Sequence, residues 1–140
     1  MARWLFKEEP DHYSYADLER ERVTLWDGVT NALARQHLRQ VRKGDCILFY
    51  HTGKEKAVVA EAVAASGPLP EPGSDDPKAV AVKVRAVRQL PHPVSLGRIK
   101  ADAALQDWDL VRLPRLSVLP VTEAQWRRVE ELSREGADGG

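Results

Sequence analysis

Residues 24–35, TLWDGVTNALAR, set a tryptophan and an aspartate directly before a glycine, with an asparagine three residues further on. Two kinds of chemistry suit that spacing. An indole can cover the polarisable face of a planar base, worth roughly 1–3 kcal/mol. An asparagine amide offers a donor and an acceptor to a base edge, and the N–H groups of a helix entrance donate to anions or carbonyls. Each residue also has a plainer role. Asn31 is a good helix-cap type, and the local pattern leaves core packing and ligand stacking equally open for Trp26.

The remaining reactive side chains are dispersed. His12, His37, His51 and His92 show no metal-ligand spacing, and no HExxH, GxSxG or CxxC occurs. His51 falls at the end of the apolar run CILFYH, where a hydrogen-bonded structural imidazole is the default and a proton-transfer group the alternative. Glu8, Glu9 and Asp11 form an acidic group with no partner to complete a catalytic pair. Arg35, Arg39 and Arg42 recur along one helical stretch and read either as a solvated face or as a basic strip beside a pocket. Arg112, Arg115, Arg127 and Arg128 follow later.

The chain has 140 residues, 21 basic and 21 acidic, so its formal net charge is zero. A generic nucleic-acid coat needs a basic surplus to displace counterions. A local basic patch or a pocket for one base does not. The single cysteine, Cys46, allows no intramolecular disulfide and reads as a small buried hydrophobe. No metal or other cofactor is expected. No signal-peptide pattern opens the chain, and no run approaches the roughly 18 apolar residues of a membrane span. A cytoplasmic protein without membrane partners is the expectation.

The elements that must position these groups can be outlined. RWLFKE, residues 3–8, reads as a strand ended by Pro10, with one face of Trp4, Leu5 and Phe6 inward. Ser14 and Asp17 make a capping box for a helix from about residue 15. ERVTLWDG is extended or irregular and broken by Gly28. A helix follows Asn31, with Ala34, Leu38 and Val41 at helical spacing, and Lys43-Gly44-Asp45 stops it. CILFYHTG is a central strand, and AVVAEAVAAS its hairpin partner. SGPLPEPGSDDP is a loop. AVAVKVRAVRQL alternates as a half-buried strand, which Pro91 and Pro93 should end. Ser95 caps a short helix. WDLVRLPRLSVLPV is read as extended and interrupted by Pro114. Thr122 and Gln125 box a last helix whose stripe is Trp126, Val129 and Leu132. Hairpins and short helices without βαβ units imply an α+β fold, a small curved barrel flanked by helices. A single domain over residues 1–135 with a flexible tail at 136–140 is expected.

Four stretches, WLFKEEP, WDGVTNxxAR, GDCILFYHTGKE and PRLSVxPVT, occur in an order and spacing that resemble the EVE domain family over roughly residues 2–132. The resemblance implies a PUA-like fold, a curved β-barrel of about five to six strands with short flanking helices, similar in architecture to the YTH readers of methylated adenine. It also implies a non-catalytic module that binds a modified nucleobase in DNA or RNA, or a free nucleobase, in an aromatic pocket. Carried over residue by residue, Trp26, Asp27, Gly28, Val29 and Asn31 match the pocket segment and Trp4 and Lys7 the first strand. Phe49, Tyr50 and His51 match the FYH strand end, and Arg115, Leu116 and Ser117 the RLS stretch. Trp26 would stack, Asn31 and the backbone at Gly28 and Val29 would read the base edge, and Tyr50 and His51 would shape the floor. Lys7, Arg35, Arg39 and Arg115 would meet phosphates. Glu8, Thr30 and Ala32 depart from the usual serine, arginine and tyrosine. Glu8 introduces a carboxylate able to accept from an exocyclic amine. The rival readings are a small nucleotide- or RNA-modifying enzyme using His51 or Glu8, and a protein-interaction domain without nucleic acid.

Overall fold

The computed structural model describes residues 1–136. Seven strands and five short helices form one curled mixed sheet with helices packed around it: β1 Arg3–Glu8, α1 Tyr15–Glu21, β2 Val23–Trp26, α2 Ala32–Leu38, β3 Cys46–His51, β4 Ala57–Ala64, β5 Leu69–Pro70, β6 Val80–Ser95, α3 Leu96–Ala101, α4 Asp109–Arg112, β7 Val118–Pro120 and α5 Glu123–Glu135. The strand order is β2-β6-β4-β3-β1-β7, with β5 beside β6. Only β1 and β3 pair in parallel, Phe6 opposite Phe49 and Glu8 opposite His51. The α+β, PUA-like architecture is the one implied by the resemblance, with seven strands in place of the five to six expected and the sheet curled as a half-barrel.

The four cap residues behave as their types dictate, with Ser95 accepting from Arg98 N–H at the start of α3. Ser14 closes a capping box with Asp17 and Thr122 with Gln125, and the Asn31 side-chain Oδ1 accepts from Ala34 N–H. Trp126, Val129 and Leu132 form the buried stripe of α5. Trp4, Leu5 and Phe6 are all buried, not one face only, because β1 lies between β3 and β7 and is covered on both sides. Such a strand reads as a continuous apolar run.

Four expectations need correction. β6 does not stop before Pro91 but runs to Ser95. Its pairing with β4 jumps from Ala60↔Gln89 to Val58↔Val94, so Leu90–Pro93 bulge out of the ladder. Both prolines therefore sit where no ladder N–H is required. A second irregularity between Glu61 and Ala62 adds to the curl. α2 ends at Leu38, six residues before Gly44. The chain then turns through buried Val41 into a carboxylate knot, in which Asp45 accepts from Ala2 N–H, Trp4 Nε1–H and Arg42 N–H. Residues 109–112, read as extended, form the single-turn helix α4, too short to show a period, with Trp108 and Leu110 buried beneath it. Cys46 is only half-buried. Of the expected tail, Gly136 is buried and its carbonyl accepts from Arg98; residues 137–140 lie outside the described part. No helix among the described residues is long and apolar enough to cross a membrane.

Candidate nucleobase-binding site

Trp26 is the last residue of β2, held by β6 with Val82 as its register partner. The chain must then leave the sheet and enter α2 within five residues. Gly28 makes this possible: its φ of 74° lies in the left-handed region, which costs a residue with a Cβ extra energy. The turn is tied down from outside. Glu71 accepts from Gly28 N–H at 2.6 Å, and Arg35 Nε donates to Val29 O at 2.7 Å while its Nη1 pairs with Asp76 at 2.9 Å. Of the backbone groups expected to read a base edge, the Gly28 N–H and the Val29 carbonyl are thus engaged internally.

The turn separates three concavities with different chemistry. The first, about 420 Å³, is lined by Trp26, Asp27, Glu8, Tyr13, Glu21 and Thr24, together with His12 and Leu25. Trp26 is only 6% exposed. Its ring packs against Phe6 (centroids 5.3 Å apart) and edge-on against Phe49 (5.4 Å). It is therefore a core residue that contributes a rim to the cavity, so packing and lining coexist. Glu8 Oε1 accepts from Glu9 N–H and faces His12 Nδ1 at 3.2 Å. Tyr13 donates to Glu21 at 2.7 Å, and burial first, then the Glu21 carboxylate, pushes its phenol up to about 12. Three carboxylates and no lysine or arginine make this an acceptor-rich cavity.

The second concavity, about 480 Å³, lies between α2 and the 71–79 loop and is lined by Thr30, Ala32, Arg35, Arg39, Pro77 and Lys78. Arg39 donates to Lys78 O at 2.7 Å. Three cations converge here around one ion-paired aspartate, Asp76, whose carboxyl is held low first by the Lys78 N–H and then by Arg35. The third, about 300 Å³, lies between the entrance of α2 and the loop after α4, with Asn31, Leu33, Leu113, Arg115 and Leu116 among its walls.

The expected site residues thus divide. Trp26 and Asp27 share a cavity with Glu8. Asn31, Arg115 and Leu116 share another. Arg35 and Arg39 line the basic cleft. Ser117 is half-buried and binds Lys7 N–H through its carbonyl. Lys7 points to the opposite face from Glu8, as successive strand residues must. Its ammonium lies 5.6 Å from the centre of the buried Tyr50 ring and donates to Pro114 O at 2.9 Å, and burial lowers its pKa to about 8. Trp4 is at the far end of β1, bonded to Asp45 and tilted against His37. His51 does not share a floor with Tyr50. It packs edge-on to Phe49, its own-side neighbour, and Tyr50 faces the other way. Its Nε2 accepts from Tyr15 N–H, which places the proton on Nδ1, donated to Glu55 at 2.7 Å. Both nitrogens are committed, so His51 sits beside Glu8 in register yet offers it no proton-transfer partner. Tyr13, Glu21 and Lys78 were not foreseen. Tyr13 carries no periodic signal because it precedes the α1 cap, and Lys78 ends a loop that sequence alone cannot place. No group of three or more His, Cys, Asp or Glu suited to a metal occurs among the described residues.

The family model for the EVE domain matches residues 2–132. Human thymocyte nuclear protein 1 is 29% identical over an alignment covering 96% of this chain and 75% of that protein. Among solved structures, Rpa0253 from Rhodopseudomonas palustris superposes with a TM-score of 0.91 at 33% identity, covering 96% of this chain and 94% of that one. Human THYN1 in complex with 5-methylcytosine-containing DNA superposes with a TM-score of 0.90 at 26% identity, covering 98% and 100%. The match runs through β1, the Trp26–Asn31 turn, β3 and the Arg115–Ser117 stretch alike, and the chain belongs to the EVE domain family.

Proposed function

We propose that this protein is a non-catalytic module that receives a modified nucleobase of DNA, carrying an exocyclic amine, in the cavity between Glu8, Tyr13, Trp26 and Asp27. The observation that carries the reading is the pairing of a carboxylate-lined, acceptor-rich cavity with a basic cleft across one tied-down turn. An amine-bearing edge, such as N4 of cytosine or N6 of adenine, donates to carboxylates, whereas the O6 of guanine and O4 of thymine are repelled by them. A cavity of 420 Å³ lies within the range of small-ligand sites. Trp26 and Leu25 supply apolar wall for a substituent such as a 5-methyl group. The DNA complex of the human relative supports a cytosine derivative as the first candidate. The base must leave its stack to reach the cavity, and Arg35, Arg39 and Lys78 then hold backbone phosphates with help from Arg115.

The test is a binding screen of oligonucleotides that differ only in base modification, at two salt concentrations. The expected result is preference for 5-methylcytosine over cytosine and thymine, with affinity falling as salt rises. A flat response across modifications would sink the reading, and affinity indifferent to both salt and base would favour a protein-interaction role.

A further inference from the structure

We propose that the outer face of α2 docks in the major groove of duplex DNA; the inference rests on the base-binding reading above only in taking DNA as the partner. The chain balances 21 basic with 21 acidic residues, yet between Asp27 and Asp45 it carries Arg35, Arg39, Arg42 and Lys43 and no carboxylate. α2 occupies the middle of that stretch. Its inner side belongs to the core: Ala34 and Leu38 are buried, and His37 lies tilted against Trp4. Ala32, Leu33 and Gln36, with Arg39 and Gln40 just past the last turn, are exposed and recur at helical spacing, so they form one outward ridge.

Cations flank this ridge on both sides. On one, Thr30 and Ala32 border the cleft of Arg35, Arg39 and Lys78, where Asp76 offsets Arg35. On the other, Asn31 and Leu33 share a concavity with Arg112 and Arg115. Arg115 is exposed and has no hydrogen-bond or ion-pair partner among the described residues, and Arg112 meets Asp109 only at 3.9 Å. The shape of the ridge selects the duplex. A helix with its side chains is about 10–12 Å across, and the major groove of B-DNA is about 12 Å wide. Single strands are held in grooves with aromatic platforms, whereas this ridge is convex and bears no aromatic ring. The major groove of A-form RNA is too deep and narrow to be read by it. In the groove, the Gln36 and Gln40 amides, whose side chains have no partner among the described residues, meet base edges, and adenine offers them a donor and an acceptor together. The flanking cations lie along the two phosphate walls.

The experiment measures binding of one 5-methylcytosine sequence as single-stranded DNA and as a DNA duplex, and of its RNA duplex counterpart, with circular dichroism confirming that each variant is folded. The wild type should favour the DNA duplex over the RNA duplex. Gln36→Glu combined with Gln40→Glu sets two carboxylates against the groove and should weaken DNA-duplex binding about tenfold, with single-strand affinity unchanged. Gln36→Lys combined with Gln40→Lys should strengthen duplex binding, which a misfolded variant cannot do. Equal loss on single strand and duplex, an RNA duplex bound as well as the DNA one, or unchanged duplex affinity in the glutamate variant overturns the docking. The two readings fail differently. A wild type indifferent to methylation, with the duplex-specific loss intact, removes the base cavity and leaves the α2 face standing. Methylation preference with duplex affinity indifferent to residues 36 and 40 removes the α2 face alone.

Discussion

The acidic cavity and the basic cleft lie on two sides of one turn, Trp26–Asn31, and they are built by opposite means. The cavity is walled by core: Trp26 is braced by Phe6 and Phe49, and the carboxylates only edge it. The cleft is walled by surface side chains tied to a loop, with Arg35 on Asp76 and Arg39 on Lys78 O. On the proposed reading, the braced apolar wall with its few acceptors discriminates between bases and the tethered cations hold any phosphate. That reading makes specificity and affinity separable, and the comparison can be broken one side at a time.

The largest effect belongs to the cavity wall. Replacing a ring buried to this degree with a methyl group costs about 3–5 kcal/mol, so Trp26→Ala should lower the thermal midpoint by roughly 10–15 °C. That variant reports on the core before it reports on the ligand. Trp26→Phe keeps most of the packing against Phe6 and Phe49 and is the better probe of base binding. Calorimetry on both decides the matter, and a midpoint for Trp26→Ala within a few degrees of wild type would show that the ring is not braced as described.

Trp26 also marks how far the sequence could be read. The bounds of β1, the capping boxes at Ser14 and Thr122, the Asn31 cap and the α5 stripe follow from local rules, because each is a pattern contained within a few consecutive residues. The family likeness was legible from four motifs. The course of β6 past Pro91 was not, since a bulge opposite β4 is a property of the partner strand. Nor was the division of the site. Asn31 is five residues from Trp26 yet lines a different cavity, and Lys7 and Glu8 part to opposite faces by strand alternation, as Tyr50 and His51 do. The Arg35–Asp76 and Gly28–Glu71 ties span more than 40 residues and leave no trace in either segment alone.

The next effects in size separate the two regions directly. Glu8→Gln replaces a charged acceptor with a group that also donates. It should cost about tenfold in affinity for an amine-bearing modified base, while the dependence of affinity on salt stays unchanged. Arg39→Glu should do the converse. Binding should weaken by about three- to tenfold for every base alike, and the log–log salt slope should fall by about 1. Titrations of both variants against methylated and unmethylated strands at several salt concentrations test this. A change in base preference in Arg39→Glu, or in salt slope in Glu8→Gln, would collapse the distinction between cavity and cleft.

The smallest effect concerns Lys7, which lines neither region and whose ammonium donates to Pro114 O on the other face of β1. Burial lowers its pKa from 10.5 to about 8. Below pH 8 the ammonium is charged in the folded and unfolded chains, and the folded state bears the full cost of burying it. Between pH 8 and 10 the folded protein has released the proton that the unfolded chain still binds, so stability rises with pH. Above about pH 10 the trend reverses, because Tyr13, Tyr15 and Tyr50 are pushed up to about 12 by burial and ionise first in the unfolded chain. Lys7→Met should therefore abolish the rise between pH 8 and 10 and keep the fall above it, as read from urea midpoints across that range. The same rise persisting in Lys7→Met would assign it to another group and leave the Lys7–Pro114 contact as an ordinary surface hydrogen bond.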